Sequence, residues 1–291
     1  MNVPSLVMPW VPEGRALSLP GRGETFVRHH RHPDPAAPTL LLLHGWTASA
    51  DLQFFTAYES LAEHYSFIAI DHRGHGRGMR SARPFTLEDA ADDAAAAVEV
   101  LGVGPVVAVG YSMGGPIGLL LTRRHPALVR GLVVEATALE WRATRWERAR
   151  WRTVRLLGPM MRSWAYPRWL RFGITKLLGV GHELEVYVPW LEAETRRGDP
   201  LAIVQAGRAL SRYDAREWAG SLGVPAGALV TTNDHLVLPS KQRDLARALG
   251  ATVVEVHGDH LAPWEHPAAF SAAMLTVVDR VTGRVAADGA P

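Results

Sequence analysis

Six short apolar runs divide the chain into alternating strand-like and helix-like segments. Each run ends in glycine or polar residues, and together they span residues 39–45, 66–74, 105–112, 130–137, 226–234 and 252–260. Continuous apolar runs of this length are typical of strands covered on both faces. Helical patterns lie between them, as in "TLEDAADDAAAAVEVLG", where Thr86 is a candidate N-cap and Gly102 a stop. We therefore predict an α/β fold whose mostly parallel central sheet is flanked by helices, with a functional site at the carboxyl ends of the strands.

A serine stands between two glycines directly after the third run. The stretch "VVAVGYSMGG" contains Gly110-x-Ser112-x-Gly114 and leads into the helix-like "PIGLLLTRRHP". A strand, a serine flanked by glycines and a helix together form a nucleophile elbow, whose sharp turn exposes the hydroxyl above the sheet. The same spacing could arise by chance in a chain with 27 glycines. Its place at a strand end favours Ser112 as a nucleophile.

Two later strand ends supply an acid and a base. Asp234 follows the fifth run in "VTTNDHLVLP", and His260 follows the sixth in "VHGDHLAPWEHP". A serine hydroxyl needs a neighbouring base, and the base needs an orienting acid. The order Ser, Asp, His is the one found when each residue follows a successive strand of one sheet. We predict a catalytic triad of Ser112, Asp234 and His260.

Composition removes several other classes of function. The chain has no cysteine, which excludes disulfides, a thiolate nucleophile and cysteine-ligated metals. Its 31 basic and 29 acidic side chains give a formal charge of only +2, which offers no general attraction for nucleic acid. The N-terminal segment does not resemble a signal peptide, and no apolar run approaches the roughly 18 residues of a membrane span. We expect a cytoplasmic protein that does not bind nucleic acid.

Five motifs in order resemble those of a known family. They are "HGW" (44–46), "DHRGHG" (71–76), "GYSMGG" (110–115), the Asp234 loop with Pro239 behind it, and His260-x4-Glu265-x-Pro267. Together they resemble an α/β-hydrolase of the esterase, lipase and C–C hydrolase branch, over about residues 15–280. The resemblance implies a serine hydrolase that needs no cofactor and acts on a small ester-like molecule. Epoxide hydrolases and haloalkane dehalogenases of this fold carry aspartate where this chain has Ser112, so acyl transfer to water is favoured.

The resemblance also implies an oxyanion hole. The backbone N–H groups of Trp46 and Met113 occupy the positions that stabilise the developing oxyanion. His44, in the same motif as Trp46, is expected to be structural and to orient that loop.

Two rival acids and several histidines have weaker claims to a role. Asp259, directly before His260, departs from the small residue usual in relatives, and Glu135 ends the fourth run where some relatives place their acid. His72, His75 and the cluster at 28–33 lack a recognisable third ligand spacing, so no metal site is predicted.

The resemblance divides the chain into a core of residues 1–137 and 213–291 and a helical cap of residues 138–212. Between residues 141 and 176 the cap has ten basic residues and one acidic residue, Glu147. If it is helical, its first part places four arginines on one basic stripe: Arg145, Arg148, Arg152 and Arg155. We expect the aromatic and methionine side chains to pack inward and line the substrate pocket: Trp141, Trp146, Met160, Met161 and Trp164. A lid that leans on an anionic lipid or acyl-chain surface is the less favoured alternative.

The sequence thus favours hydrolysis of a carboxylic ester with an apolar acyl or alcohol part. Hydrolysis of a C–C bond in a diketone and perhydrolysis use the same residues and remain alternatives, as does a binding protein of this fold without catalysis. The oligomeric state stays open.

Overall fold

The computed structural model describes residues 7–163 and 165–284, without the side chain of residue 155. In this part of the chain eight strands form one sheet. They are β1 (Gly14–Leu19), β2 (Gly23–His30), β3 (Thr39–Leu43), β4 (Ser66–Ile70), β5 (Val106–Tyr111), β6 (Val129–Glu135), β7 (Ala226–Thr231) and β8 (Thr252–Val256).

The strand order across the sheet is β1-β2-β4-β3-β5-β6-β7-β8. β2 pairs antiparallel with β1 and β4, and every other neighbouring pair is parallel. The six strands predicted from the apolar runs are therefore confirmed. The sheet also contains β1 and β2, an antiparallel hairpin along one edge.

Helices connect the strands and cover both faces of the sheet. The helices of the described residues are α1 (Ala50–Phe54), α2 (Tyr58–Ala62), α3 (Leu87–Leu101), α4 (Gly114–Arg124), α5 (Arg145–Arg152), α6 (Leu157–Arg162), α7 (Tyr166–Leu178), α8 (Val188–Thr195), α9 (Pro200–Leu210), α10 (Pro239–Leu249), α11 (Ala262–Glu265) and α12 (Pro267–Thr282). The helices α5 to α9 all lie between β6 and β7 in the chain. Within residues 7–163 and 165–284, every helix is too short or too polar to cross a bilayer.

Alternation along the strands divides the core into two layers. In β3, Leu41 and Leu43 belong to one buried cluster, with side chains from α3, α4 and α10. Leu40 and Leu42 belong to the other cluster, with side chains from α1, α2 and α12. Each of these leucines is fully buried, which stabilises the fold by about 2 kcal/mol per side chain. The continuous apolar runs of the sequence follow from this burial on both faces.

The ends of α3 are those the sequence predicts. The Thr86 hydroxyl accepts a hydrogen bond of 3.0 Å from the backbone N–H of Asp89. Gly102 ends the helix in the left-handed region, with φ of 63°, where a residue without a side chain is favoured.

Candidate active site

The turn between β5 and α4 holds Ser112 in a strained conformation. Its φ is 51°, a value rare for any residue other than glycine. A Cβ on Gly110 would overlap the carbonyl of Gly114, and a Cβ on Gly114 would overlap the carbonyl of Leu43. The turn therefore closes only because both flanking residues are glycine. Such strain costs about 1–3 kcal/mol and is typical of functional sites.

The carboxyl ends of β5, β7 and β8 bring the three predicted triad residues together. His260 Nε2 lies 3.0 Å from Ser112 Oγ, and His260 Nδ1 lies 2.7 Å from Asp234 Oδ2. These distances form a continuous hydrogen-bonded chain from hydroxyl to imidazole to carboxylate. Ser112 and Asp234 are buried and His260 is half-buried, so bulk water competes little with these bonds.

Four further donors fix the Asp234 carboxylate. Its Oδ1 accepts the backbone N–H groups of Leu236 and Val237, each at 2.8 Å. Its Oδ2 accepts the Thr231 hydroxyl at 2.9 Å and the Gln242 amide at 3.2 Å. Four donors around one carboxylate hold it in a single orientation. Thr231 and Gln242 could not be predicted from the sequence, because neither belongs to a motif and their contact depends on how α10 packs beside β7.

Neither rival acid binds the imidazole ring of His260. The Asp259 carboxylate accepts hydrogen bonds from the ring Nδ1 of His235 at 2.8 Å and from the backbone N–H of His260 at 2.7 Å. Partial burial opposes ionisation of Asp259, but these hydrogen bonds outweigh it and lower its pKa. Glu135 is fully buried, and neither of its carboxylate oxygens has a hydrogen-bond partner among the described residues. Burial raises the pKa of Glu135 to about 8.

The predicted oxyanion donors flank Ser112 on two loops. Met113 directly precedes the first residue of α4, so its N–H lies at the positive end of a helix dipole. Trp46 follows Gly45, and a Cβ on Gly45 would lie 3.4 Å from the Ser112 Cβ. The two loops are thus in contact at the serine.

Both ring nitrogens of His44 form hydrogen bonds with backbone groups. Its Nδ1 donates to the carbonyl of Gly45 at 2.8 Å, and its Nε2 accepts the backbone N–H of His72 at 3.0 Å. Burial lowers the pKa of His44 well below its usual value, so the ring is neutral and keeps one donor and one acceptor. It fixes the loop that carries Trp46, in keeping with the role expected for it. Within the described ranges no group of three potential ligand side chains could hold a metal.

The indole of Trp46 joins its loop to the helices between β6 and β7. Its Nε1 donates to the carbonyl of Ile203 in α9 at 2.8 Å. Its ring packs on Trp151, with 5.5 Å between ring centroids, and lies where a Cβ on Gly207 would clash. Trp151 in turn donates to the carbonyl of Trp141 at 2.7 Å. The three tryptophans connect the loop beside Ser112 to α5 and α9.

The expected pocket residues differ in exposure. Trp141 is buried and Met161 half-buried, whereas Met160 is 48% exposed. Trp164 lies outside the described residues. Trp146 is 86% exposed, so the prediction that it packs inward is wrong.

The position of Trp146 has a clear physical cause. The Lys241 ammonium contacts Glu147 at 2.5 Å, and Trp151 packs inward from the same side of α5. Trp146 is five residues before Trp151, or about 140° around the helix, and therefore faces solvent.

Three arginines of the predicted stripe, Arg145, Arg148 and Arg152, lie on α5. α5 ends at Arg152, and a 3₁₀ turn of residues Thr153–Leu156 follows it. Arg148 is half-buried and donates to the carbonyl of Ala143 at 2.8 Å. The side chain of Arg155 lies outside the described atoms.

Comparison with known proteins places the chain in a family. A family model described as the alpha/beta hydrolase fold matches residues 38–166. The chain is 31% identical over 233 residues to the pimeloyl-[acyl-carrier protein] methyl ester esterase of Xanthomonas axonopodis pv. citri, covering 78% of this chain and 89% of the relative. It is 28% identical over 259 residues to the esterase of the same name from Neisseria meningitidis serogroup C, covering 87% and 98%.

Solved structures share the architecture. A hydrolase from Pseudomonas aeruginosa superposes with a TM-score of 0.76 at 20% identity, covering 91% of this chain and 98% of the other. The enol-lactonase of Burkholderia xenovorans gives 0.73 at 21% identity, covering 91% and 99%. The sheet order, the elbow at Ser112 and these relationships lead to one conclusion: the chain belongs to the α/β-hydrolase family of enzymes.

Proposed function

We propose that this protein is a serine hydrolase that cleaves a carboxylic ester. The observation that carries the proposal is the hydrogen-bonded chain from Ser112 through His260 to Asp234, with distances of 3.0 and 2.7 Å. A chain of this geometry activates a serine hydroxyl for attack on a carbonyl carbon. The names of the esterase relatives support an ester as the substrate.

The carboxylate sets the proton position on the imidazole. An ionised Asp234 carboxylate has no proton to donate and can only accept a hydrogen bond. His260 therefore carries its proton on Nδ1 and leaves the Nε2 lone pair facing Ser112. As Ser112 Oγ bonds to the carbonyl carbon, its proton passes to His260 Nε2. Asp234 stabilises the imidazolium that forms, and the N–H groups of Trp46 and Met113 stabilise the oxyanion.

Collapse of the tetrahedral intermediate breaks the ester bond. The alcohol leaves with the proton that His260 held on Nε2, and the acyl group stays on Ser112. Water then gives a proton to Nε2 as its oxygen attacks the acyl-serine. When the bond to Ser112 Oγ breaks, Nε2 returns that proton to Oγ, which releases the carboxylic acid and restores the hydroxyl.

We propose that residues 138–212 form a cap on a core of residues 1–137 and 213–291. Ionic contacts support the packing of the cap on this core: the Arg77 guanidinium contacts Glu194 in α8 at 2.6 Å, and Lys241 in α10 contacts Glu140 at 2.8 Å. The hydrogen bond from Trp46 to α9 adds a contact close to Ser112. Trp141 and Met161 are our candidates for the wall of an apolar pocket, with Met160 at its rim.

A substrate panel tests the ester assignment. We expect turnover of methyl and p-nitrophenyl esters, graded by acyl length, and loss of that turnover in Ser112→Ala. A diketone and a peracid-forming assay run in parallel test C–C hydrolysis and perhydrolysis. Cleavage of the diketone with no activity on any ester would replace the proposed reaction. Absence of turnover in every assay would favour a non-catalytic binding protein.

A further inference from the structure

An aromatic and basic surface on the cap is turned away from the core. In α7, Trp169 is 69% exposed and Phe172 is 63% exposed, whereas Ile174 and Leu178 are buried. At 100° per residue, Trp169 lies half a turn from Leu178, and Phe172 lies about 200° from Ile174. The two aromatic rings therefore occupy the side of α7 opposite its buried side. We call this side, with Arg168, Trp169, Phe172 and Lys176, the α7 outer face.

The outer side of α7 differs from that of an ordinary surface helix. A helix on a soluble core turns its large apolar side chains inward and its charges outward. α7 has an apolar inner side and, on its outer face, two aromatic rings beside basic residues. Packing within the described chain accounts for the inner side but leaves these rings exposed to solvent.

Basic residues predominate in the part of the chain that forms the α7 outer face. Residues 148–182 include eight basic residues and no acidic one. Exposed apolar side chains accompany them in the neighbouring helix and turns: Leu156, Met160 and Val180. α6, which packs against α7, adds Arg162 at its last position. The segment thus combines exposed apolar side chains with an excess of positive charge, although Arg171 pairs with Glu192 in α8 at 3.1 Å.

We propose that the α7 outer face binds an anionic lipid surface. Aromatic and aliphatic side chains flanked by arginine and lysine are the composition of helices that lie in the membrane interface. The rings enter the boundary between headgroups and acyl chains, and the basic side chains meet phosphate groups. Self-association through this face is disfavoured, because a two-fold contact would bring its positive charges together. This is peripheral binding, which does not require a spanning helix.

The exposure of the tryptophans changes the preference drawn from sequence. Trp141 is buried, as the sequence predicts, whereas Trp146 and Trp169 face solvent. An interfacial surface is therefore favoured over a purely solvated cap. The proposal does not depend on the ester chemistry, since binding is measured without turnover.

Co-sedimentation with vesicles tests the proposal. Full-length protein is mixed with vesicles of phosphatidylcholine containing about 30% phosphatidylglycerol, or of phosphatidylcholine alone, in 50 and 500 mM NaCl. We expect binding to the anionic vesicles at low salt, weaker binding at high salt and little binding to neutral vesicles, because charge attraction is screened within about 4 Å at 500 mM.

Variants localise the binding. The double variant Trp169→Ser/Phe172→Ser should lose at least about tenfold in vesicle affinity, since each ring contributes burial of apolar area. Lys176→Gln should lose about fivefold. Trp10→Ser is the matched control, because Trp10 is a partly exposed tryptophan outside the cap, and it should bind like wild type. Circular dichroism melting checks that each variant is folded.

Three results would overturn the proposal. They are equal binding of wild type to neutral and anionic vesicles, unchanged binding of the double variant, and binding to an acidic polymer such as polyglutamate with none to vesicles. The last result would indicate an acidic protein as the partner of this face. None of these results tests ester turnover, which is measured separately in solution. Failure of the surface proposal is therefore distinguishable from failure of the ester proposal.

Discussion

Replacement of Asp234 by asparagine tests the orientation of the imidazole. An amide at this position can keep its oxygen where Oδ1 accepts the backbone N–H groups of Leu236 and Val237, so the loop should stay in place. The NH₂ group then takes the place of Oδ2, which lies 2.7 Å from His260 Nδ1 in the wild-type protein. Since an NH₂ group donates, the ring must accept there and carry its proton on Nε2 instead. That proton points at Ser112 Oγ and blocks general-base catalysis.

The magnitude follows from the loss of the base. We expect kcat to fall by about 10³ to 10⁴ in Asp234→Asn, which corresponds to about 4–5.5 kcal/mol of transition-state stabilisation. KM for a short soluble ester should change little, because the carboxylate contacts no substrate. Steady-state kinetics on a chromogenic ester, with circular dichroism as a check on folding, measures this.

The neighbouring aspartate is the matched control. Asp259→Asn makes the same chemical change one residue before His260, but Asp259 binds His235 and backbone N–H groups rather than the His260 ring. Its kcat should stay within about a factor of five of wild type, since exposed hydrogen bonds contribute about 1 kcal/mol or less. Equal losses in the two variants, or a larger loss in Asp259→Asn, would refute the assignment of Asp234.

Two further changes test the buried surroundings of the site. Burial raises the pKa of Glu135 to about 8, so the folded protein holds a proton that the unfolded chain loses near pH 4.3, and wild-type stability should fall as pH rises from 5 to 8. Glu135→Gln cannot ionise and should gain about 4 kcal/mol relative to wild type over that range, at about 1.4 kcal/mol per pH unit; urea unfolding at both ends measures this, and parallel pH curves would contradict it. Trp46→Phe removes the donor to the Ile203 carbonyl and should cost about 1 kcal/mol of stability with a several-fold loss of kcat at similar KM. Wild-type kinetics in this variant would show that the bond to α9 does not position the loop.

Much of the core could be predicted because its signals are local. The apolar runs at 39–45 and 105–112 became β3 and β5, since strands buried on both faces need continuous apolar residues. Ser112, Asp234 and His260 could be placed together because parallel strands of one sheet end at the same edge. Backbone constraints, such as the glycines at 110 and 114, are also visible in the sequence.

The features that could not be predicted depend on contacts distant in the chain. The rotation of α5, which exposes Trp146, accompanies the ion pair between Glu147 and Lys241, 94 residues apart. The hydrogen bond of Gln242 to Asp234 depends on the packing of α10 and β7. Neither contact leaves a periodic signal, so the sequence indicates the candidate triad but not which side chains of residues 138–212 face inward.

Active-site labelling tests the central claim most directly. If His260 and Asp234 activate Ser112 as a nucleophile, the serine should react with a fluorophosphonate, whereas an ordinary hydroxyl does not. We expect wild-type protein to take up one equivalent of the reagent, with peptide mass spectrometry placing it on Ser112. Ser112→Ala should take up none. Wild-type protein that remains unlabelled, or a label located on a different residue, would contradict the account.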